Sequence, residues 1–181
     1  MLLEKGRPNN IENRLVKEIK VYDLLDNLGI EYERVDHEAL NTMEACMEVD
    51  NILNAQICKN LFLRNQQKTR FYLLIMKSDK KFKTKELSNQ INSARLSFAE
   101  PEYMEMYLDI TPGSASVLSL MNDTTNYVTL LIDEDLLKSE YIGMHPCINT
   151  SSLRIKTEDI INKFLKYVNH SPTTVTLKGE D

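Results

Sequence analysis

The sequence predicts an α+β fold in a single domain, and three observations carry that prediction. Short strands and short helices follow one another without the regular strand-helix-strand repeat that builds a parallel nucleotide-binding sheet. Neither GxGxxG nor GxxxxGK[ST] occurs, so the phosphate-cradling turns of such sheets are missing. The 181 residues, 42% hydrophobic and 27% charged, match about one domain of ~150 residues with a sizeable core. No internal repeat, low-complexity tract or Pro/Gly/Ser linker divides the chain. Residues 1–12 and 170–181 read as tails around a domain spanning 13–169.

The elements follow in order. In ENRLVKEIKVYDLLDNLG, Leu15, Ile19, Tyr22, Leu25 and Leu28 recur at helical spacing and Gly29 supplies the stop, which makes an amphipathic helix. Ile30 to Val35 alternates as a strand, and Thr42 is the expected N-cap of a second helix. KNLFLRN and RFYLLIMK form a hairpin across QQKT, the second strand apolar enough to lie centrally. TKELSNQI and PEYMEMYLD are short helices, the latter with Pro101 at its first position. TPGSAS turns into Val117 to Met121, NYVTLLID is a strand, DEDLLKS a helical turn, and YIGMHPCINTSSLRI two short strands around a turn. TEDIINKFLKYV closes the domain as an amphipathic helix capped by Thr157.

Charge and composition exclude several function classes. Phe71 to Met76 is the longest apolar run, far below the ~20 residues of a membrane span, and Glu4 and Lys5 stand where a signal peptide needs apolar residues. A soluble, cytoplasmic protein is expected. The net charge of −5 argues against a general nucleic-acid coat protein. One cationic patch stands against that background: Lys77, Lys80, Lys81, Lys83 and Lys85, opposed only by Asp79. Such point charges suit sequence-independent contact with phosphates, although a solvated loop has the same composition. Cys46, Cys58 and Cys147 are odd in number and form no CxxC, so a disulfide framework and a four-cysteine zinc site are both excluded. His37, His145 and His170 are not spaced for a metal, and no metal or cofactor is expected.

Three positions stand out. Lys59 directly precedes the apolar strand Leu61 to Leu63, where a lysine is costly unless it emerges at a site or reaches solvent. Pro112, Gly113 and Ser114 follow an apolar helix, and a glycine turn there either is an ordinary connection or converges backbone N–H groups on an anion or carbonyl oxygen. His145 and Pro146 lie between Gly143 and Asn149-Thr150, as a buried histidine or a pocket one. Pairing His145 with Cys147 as a nucleophile lacks a third, orienting group.

In this order and spacing, LLDNLGIEYERVDHEALNTMEA, KNLFLRN, LSFAEPEYMEMYLDITPGSASVLSL, IDEDL and GMHPCINTSSLRI resemble the YbaK and prolyl-tRNA synthetase editing-domain superfamily. Within it the chain is most similar to the freestanding alanyl-tRNA(Pro) deacylases called ProXp-ala or PrdX. The resemblance spans roughly residues 20–165 and implies a central mixed, barrel-like sheet flanked by helices. It implies hydrolysis of alanine wrongly attached to tRNA(Pro), without a metal, and with the vicinal hydroxyl of the terminal adenosine as participant. By motif position it makes Lys59 the essential lysine and Asn60 its neighbour in the pocket. Gly113, Ser114, Ala115 and Ser116 then offer backbone amides to the ester, His145 lines the pocket, and Thr42 belongs to the substrate-binding set. Lys80, Lys81, Lys83 and Lys85 are the expected tRNA contacts. Mischarged tRNA(Pro) is the expected partner, with prolyl-tRNA synthetase a possible second; neither DNA nor membrane is expected. Two alternatives stay open: a Cys-tRNA(Pro) deacylase of the YbaK type, and a catalytically silent tRNA- or synthetase-binding adaptor.

Overall fold

The computed structural model describes residues 1–40 and 42–179, with the Met43 side chain left aside. Among the described residues, β1 (Leu3–Lys5), β2 (Tyr32–Asp36), β8 (Ser151–Lys156) and β7 (Tyr141–Met144) form one antiparallel sheet in that spatial order. The second sheet runs β5 (Ser97–Phe98), β3 (Lys59–Arg64), β4 (Phe71–Met76), β6 (Val128–Asp133) and β9 (Thr173–Val175). It is mixed: β3 pairs antiparallel with β4 and β5, whereas β6 pairs parallel with β4 and β9.

β4 is central and buried along its whole length, as its unbroken apolar run predicts. Period-two alternation sends Phe71, Leu73 and Ile75 into the main core and Tyr72, Leu74 and Met76 into a second core on the other face. The main core lies between the sheets, where Tyr32, Ile142, Leu153 and Ile155 meet Phe62, Leu130 and Ile132. Helices α1 (Val16–Asn27) and α4 (Pro101–Leu108) add Val21, Tyr22, Leu25, Met104 and Leu108 to it. Each such buried side chain contributes ~1.5–3 kcal/mol through apolar area removed from water. Helix α3 (Thr84–Gln90) covers the second core with Leu87, and α2 (Met43–Leu53) makes a small third one from Val49 and Leu53 against Val35.

Four expectations are corrected. The sheets do not close into a barrel: among the described residues their strand-type link is a single bridge, Ile57 to Gly143, with Cys58 N–H donating to the Gly143 carbonyl at 2.9 Å. Both expected tails carry edge strands, β1 and β9, because each finds an unpaired edge to satisfy its backbone; residues 180 and 181 lie outside the described residues. Thr157 is no cap. Its hydroxyl donates to the Ser139 carbonyl at 2.5 Å from the first turn of the C-terminal helix, which winds through a π segment at Ile160–Phe164. Leu15 is exposed, sitting just before α1 rather than on its buried face. Thr42 does cap α2, its hydroxyl accepting from Ala45 N–H at 3.2 Å, and the short α5 (Glu134–Leu137) is capped by Asp133.

Candidate functional site

A cavity of about 300 Å³ opens beside β3, lined by Cys58, Asn60, Phe62, Gly113, Ala115 and His145 among others. Its placement follows from pairing. β5 covers β3 only at Leu63 and Arg64, so the other half of that edge is left for the 112–115 loop, the start of α4 and His145 to close around.

The loop is tied by its own serines. Ser114 is buried and its hydroxyl donates to the Thr111 carbonyl at 2.7 Å while accepting from Thr111 N–H at 3.1 Å. Ser116 accepts from Leu118 N–H at 3.2 Å and so caps a 3-10 turn, Val117–Asn122. Neither hydroxyl is spent on the cavity; both stiffen the backbone that is. Gly113 has φ +87°, a left-handed value that favours glycine, and among the described residues the N–H groups of Gly113 and Ala115 have no partner. Both residues line the cavity, and backbone donors without partners are groups that an anion or a carbonyl oxygen can use.

His145 supplies the opposite polarity. Its Nδ1 lies 2.9 Å from the Ser151 carbonyl and 3.2 Å from Ser152 Oγ. A carbonyl can only accept, so Nδ1 carries the hydrogen and Nε2, without a partner among the described residues, is the acceptor. Burial lowers the His145 pKa, which keeps the ring neutral near pH 7. His37 completes a chain behind it: Nδ1 faces the Glu38 carbonyl at 2.7 Å, so Nε2 accepts from the Ser152 hydroxyl at 2.8 Å. Asn60 is held by its Nδ2 donating to the Cys58 carbonyl at 2.9 Å, which fixes the amide beside the cavity. Burial pushes the Cys58 and Cys147 thiols up to about 12, which keeps both protonated near neutral pH.

The structure thus brings Asn60, Gly113, Ala115 and His145 to one cavity, with Ser114 and Ser116 behind it. It does not bring Lys59 there. Alternation turns Lys59 to the other face of β3, where its ammonium donates to the Lys80 carbonyl at 2.6 Å. Thr42 is exposed, its hydroxyl spent on the α2 cap. Lys80 is corrected: its ammonium sits 2.8 Å from Asp133 and 2.7 Å from Asp135 and donates to the Leu177 carbonyl at 2.6 Å, so it is an internal tie and not a phosphate contact. Lys81 and Lys85 are exposed and Lys83 is half-buried. Ser152 and Phe62 carry no mark in the sequence, and His37 and Cys58 stand out there only as residues unsuited to a metal site. Only the β2/β8 register, which pairs Val35 with Ser152, sets His37 beside that serine. A wider groove near Lys5, Tyr32, Tyr141 and Arg154 holds none of the predicted site residues, and its Arg154 is engaged by Glu33 at 3.0 Å. Among the described residues no three His, Cys, Asp or Glu side chains gather as metal ligands, and no helix is long and apolar enough to cross a membrane.

Comparison with known proteins places the chain in a family. Residues 37–163 match the model of the aminoacyl-tRNA editing domain, an interval that contains every cavity residue named above. The prolyl-tRNA editing protein ProX of Acetoanaerobium sticklandii is 32% identical over 136 residues, 75% of this chain and 83% of that one. Prolyl-tRNA synthetase associated domain-containing protein 1 of Danio rerio is 29% identical over 156 residues, 85% of this chain and 84% of that one. A solved candidate trans-editing enzyme for prolyl tRNA synthetase superimposes with a TM-score of 0.66 at 14% identity, covering 90% of this chain and 98% of that one, which is agreement in fold. With its open two-sheet architecture and the cavity beside β3, the chain belongs to the aminoacyl-tRNA editing domain family.

Proposed function

We propose that this protein is a deacylase that hydrolyses the ester of mischarged tRNA(Pro), with alanine as the preferred acyl group. The observation that carries the reading is the cavity lining: Gly113 and Ala115, whose N–H groups have no partner among the described residues, share it with His145, whose Nε2 is an acceptor. Hydrolysing an activated ester needs little more than a held carbonyl, a stabilised oxyanion and a placed water. In this reading the two amides take the carbonyl oxygen, His145 Nε2 orients the water, and Asn60 Oδ1 accepts from the substrate ammonium. Water adds to the carbonyl carbon, the bond to the ribose oxygen breaks, and the proton leaves with that oxygen. Lys59 acts from the rim, leaving the Lys80 carbonyl to meet the developing charge. No metal takes part. Lys81, Lys83 and Lys85 contact the phosphates of the acceptor strand.

In this reading proline is rejected by size at the acyl end, where overpacking a rigid site costs ~1–3 kcal/mol or more, whereas alanine, serine and glycine are separated only modestly because one methyl contributes ~0.8 kcal/mol. Release of labelled amino acid tests the proposal, using purified, chelator-treated protein on tRNA(Pro) charged with alanine, serine, glycine, cysteine or proline. Rapid release of alanine, detectable release of serine and glycine, and near-complete retention of proline are expected. Faster release of cysteine than of alanine would shift the assignment to a cysteine editor; release of none would leave a binding module, and activity restored only by zinc would end the metal-free mechanism.

A further inference from the structure

We propose that Phe98, backed by Phe82, is a stacking platform for the terminal nucleobase of the aminoacylated strand. The inference rests on the editing reading, since that substrate carries a base one ribose away from its acyl group. Three observations lead to it. First, the cavity is not confined to one face of β3: its lining includes Asn60 and Phe62, which point one way, and Leu61, which points the other. Antiparallel pairing sets Phe98 directly opposite Leu63, so its ring shares the Leu61 face. The cavity therefore passes over the half-open edge of β3, with the acyl groups' partners on one side and Phe98 on the other. Second, Phe98 is 61% exposed although it lines a cavity. A phenylalanine left in water at a cavity mouth, and not merely scattered on the surface, marks a place where something apolar docks. Third, the ring is fixed from behind. Phe82, half-buried against the second core, meets it at 6.0 Å with the ring planes 64° apart, an edge contact that leaves ring surface open.

The surroundings select a nucleobase over a plain apolar group. Phe82 stands between Lys81 and Lys83, and its loop also presents the Lys80 carbonyl that takes the Lys59 ammonium. An aromatic ring flanked in the chain by cations, and touching the exposed ring of Phe98, is the combination that binds single-stranded nucleic acid, rings taking bases and cations the backbone. The acceptor end of a tRNA is single-stranded, and its last base is tethered to the ester that the cavity holds.

The chain has no tryptophan, so Phe98→Trp introduces a single tryptophan at the platform, which is excited selectively over the tyrosines at the long-wavelength edge of its absorption. Titration of this variant with the trinucleotide CCA is expected to quench the emission saturably. The same trinucleotide lacking its last base should bind about tenfold more weakly, the loss of one stacked base. In deacylation of mischarged tRNA(Pro), Phe98→Ala and Phe98→Leu should raise KM about tenfold, with the change expressed in KM rather than kcat, whereas Phe98→Tyr keeps the wild-type value. Leucine retains apolar bulk but no ring, so the Leu/Tyr contrast separates stacking from packing. Absence of quenching, equal affinity for the two trinucleotides, or a leucine variant as good as wild type would overturn the platform while wild-type deacylation left the editing reading standing. Emission that responds to protein concentration instead of trinucleotide would assign the ring to contact with a second copy and overturn it likewise. Quenching in a protein that releases no amino acid would uphold the platform and remove the editing reading.

Discussion

At the scale of single residues, the site depends on which hydrogen each polar group carries. His145 is locked as the Nδ1–H tautomer by the Ser151 carbonyl, and burial lowers its pKa below the ordinary 6.5. The sign of the resulting pH dependence is fixed: below about 6.5 the unfolded chain takes up this proton more readily than the folded one, so stability is full above that pH and declines as pH falls through it. Activity should hold through neutral pH and fall on an acid limb whose midpoint lies below 6.5, measured as kcat/KM against pH. A limb above 6.5 would mean that another group titrates. Lys59 poses a second question, because its ammonium rests on the Lys80 carbonyl and not on the cavity wall. Lys59→Ala is expected to cost roughly 1.5 kcal/mol of stability for that bond, yet ~10²–10³ in deacylation rate. Single-turnover rates beside thermal melts check both numbers, and a rate loss below tenfold would leave Lys59 as a strut for the loop. The sequence marked Lys59 through its position before an apolar strand; where the side chain turns depended on strand phase and on a carbonyl many residues away.

Elements decide which members of a charged cluster are available. The five lysines between Lys77 and Lys85 look alike in sequence, but the loop folds so that Lys80 points inward to Asp133, the last residue of β6 and fully buried. Removing one partner of such a pair leaves the other charge unpaired, so Lys80→Met should destabilise the protein by ~3–5 kcal/mol and lower Tm by about 10 °C. Replacing Lys81, Lys83 and Lys85 with glutamine has a different signature: the log-log salt slope of tRNA binding should flatten by ~0.7–0.9 for each phosphate that is no longer neutralised. An unchanged slope would make these three plain surface charges. Capping shows the same division. Thr42 caps α2 as its local pattern says, whereas Thr157, equally suited by sequence, is claimed by the Ser139 carbonyl.

At the scale of the whole molecule, the two sheets are joined by strand pairing through Gly143, and the site lies next to that joint. An added Cβ there would stand 2.8 Å from the Gln56 carbonyl oxygen and 2.9 Å from Ile57 Cα, a clash with backbone that no rotamer relieves. Gly143→Ala is therefore expected to cost about 2 kcal/mol and to lower Tm by ~4–8 °C, with partial loss of activity as His145 shifts with its strand. A melt unchanged within 1–2 °C would show that the sheets slide freely past one another. The sequence by itself determined the α+β class, the order of most elements and the central place of β4, because these rest on periodicity local along the chain; it marked Asn60, Gly113, Ala115 and His145 only as candidates, through a glycine turn, an isolated histidine and the family resemblance, and the fold sets them around one cavity. Tertiary structure alone decided that the sheets stay open, that the ends become β1 and β9, that Lys80 is an internal tie, and that His37 and Ser152 stand behind His145. Each of those outcomes depends on which distant backbone edge or buried charge a residue meets, and that partner is fixed only when strand register and sheet order are.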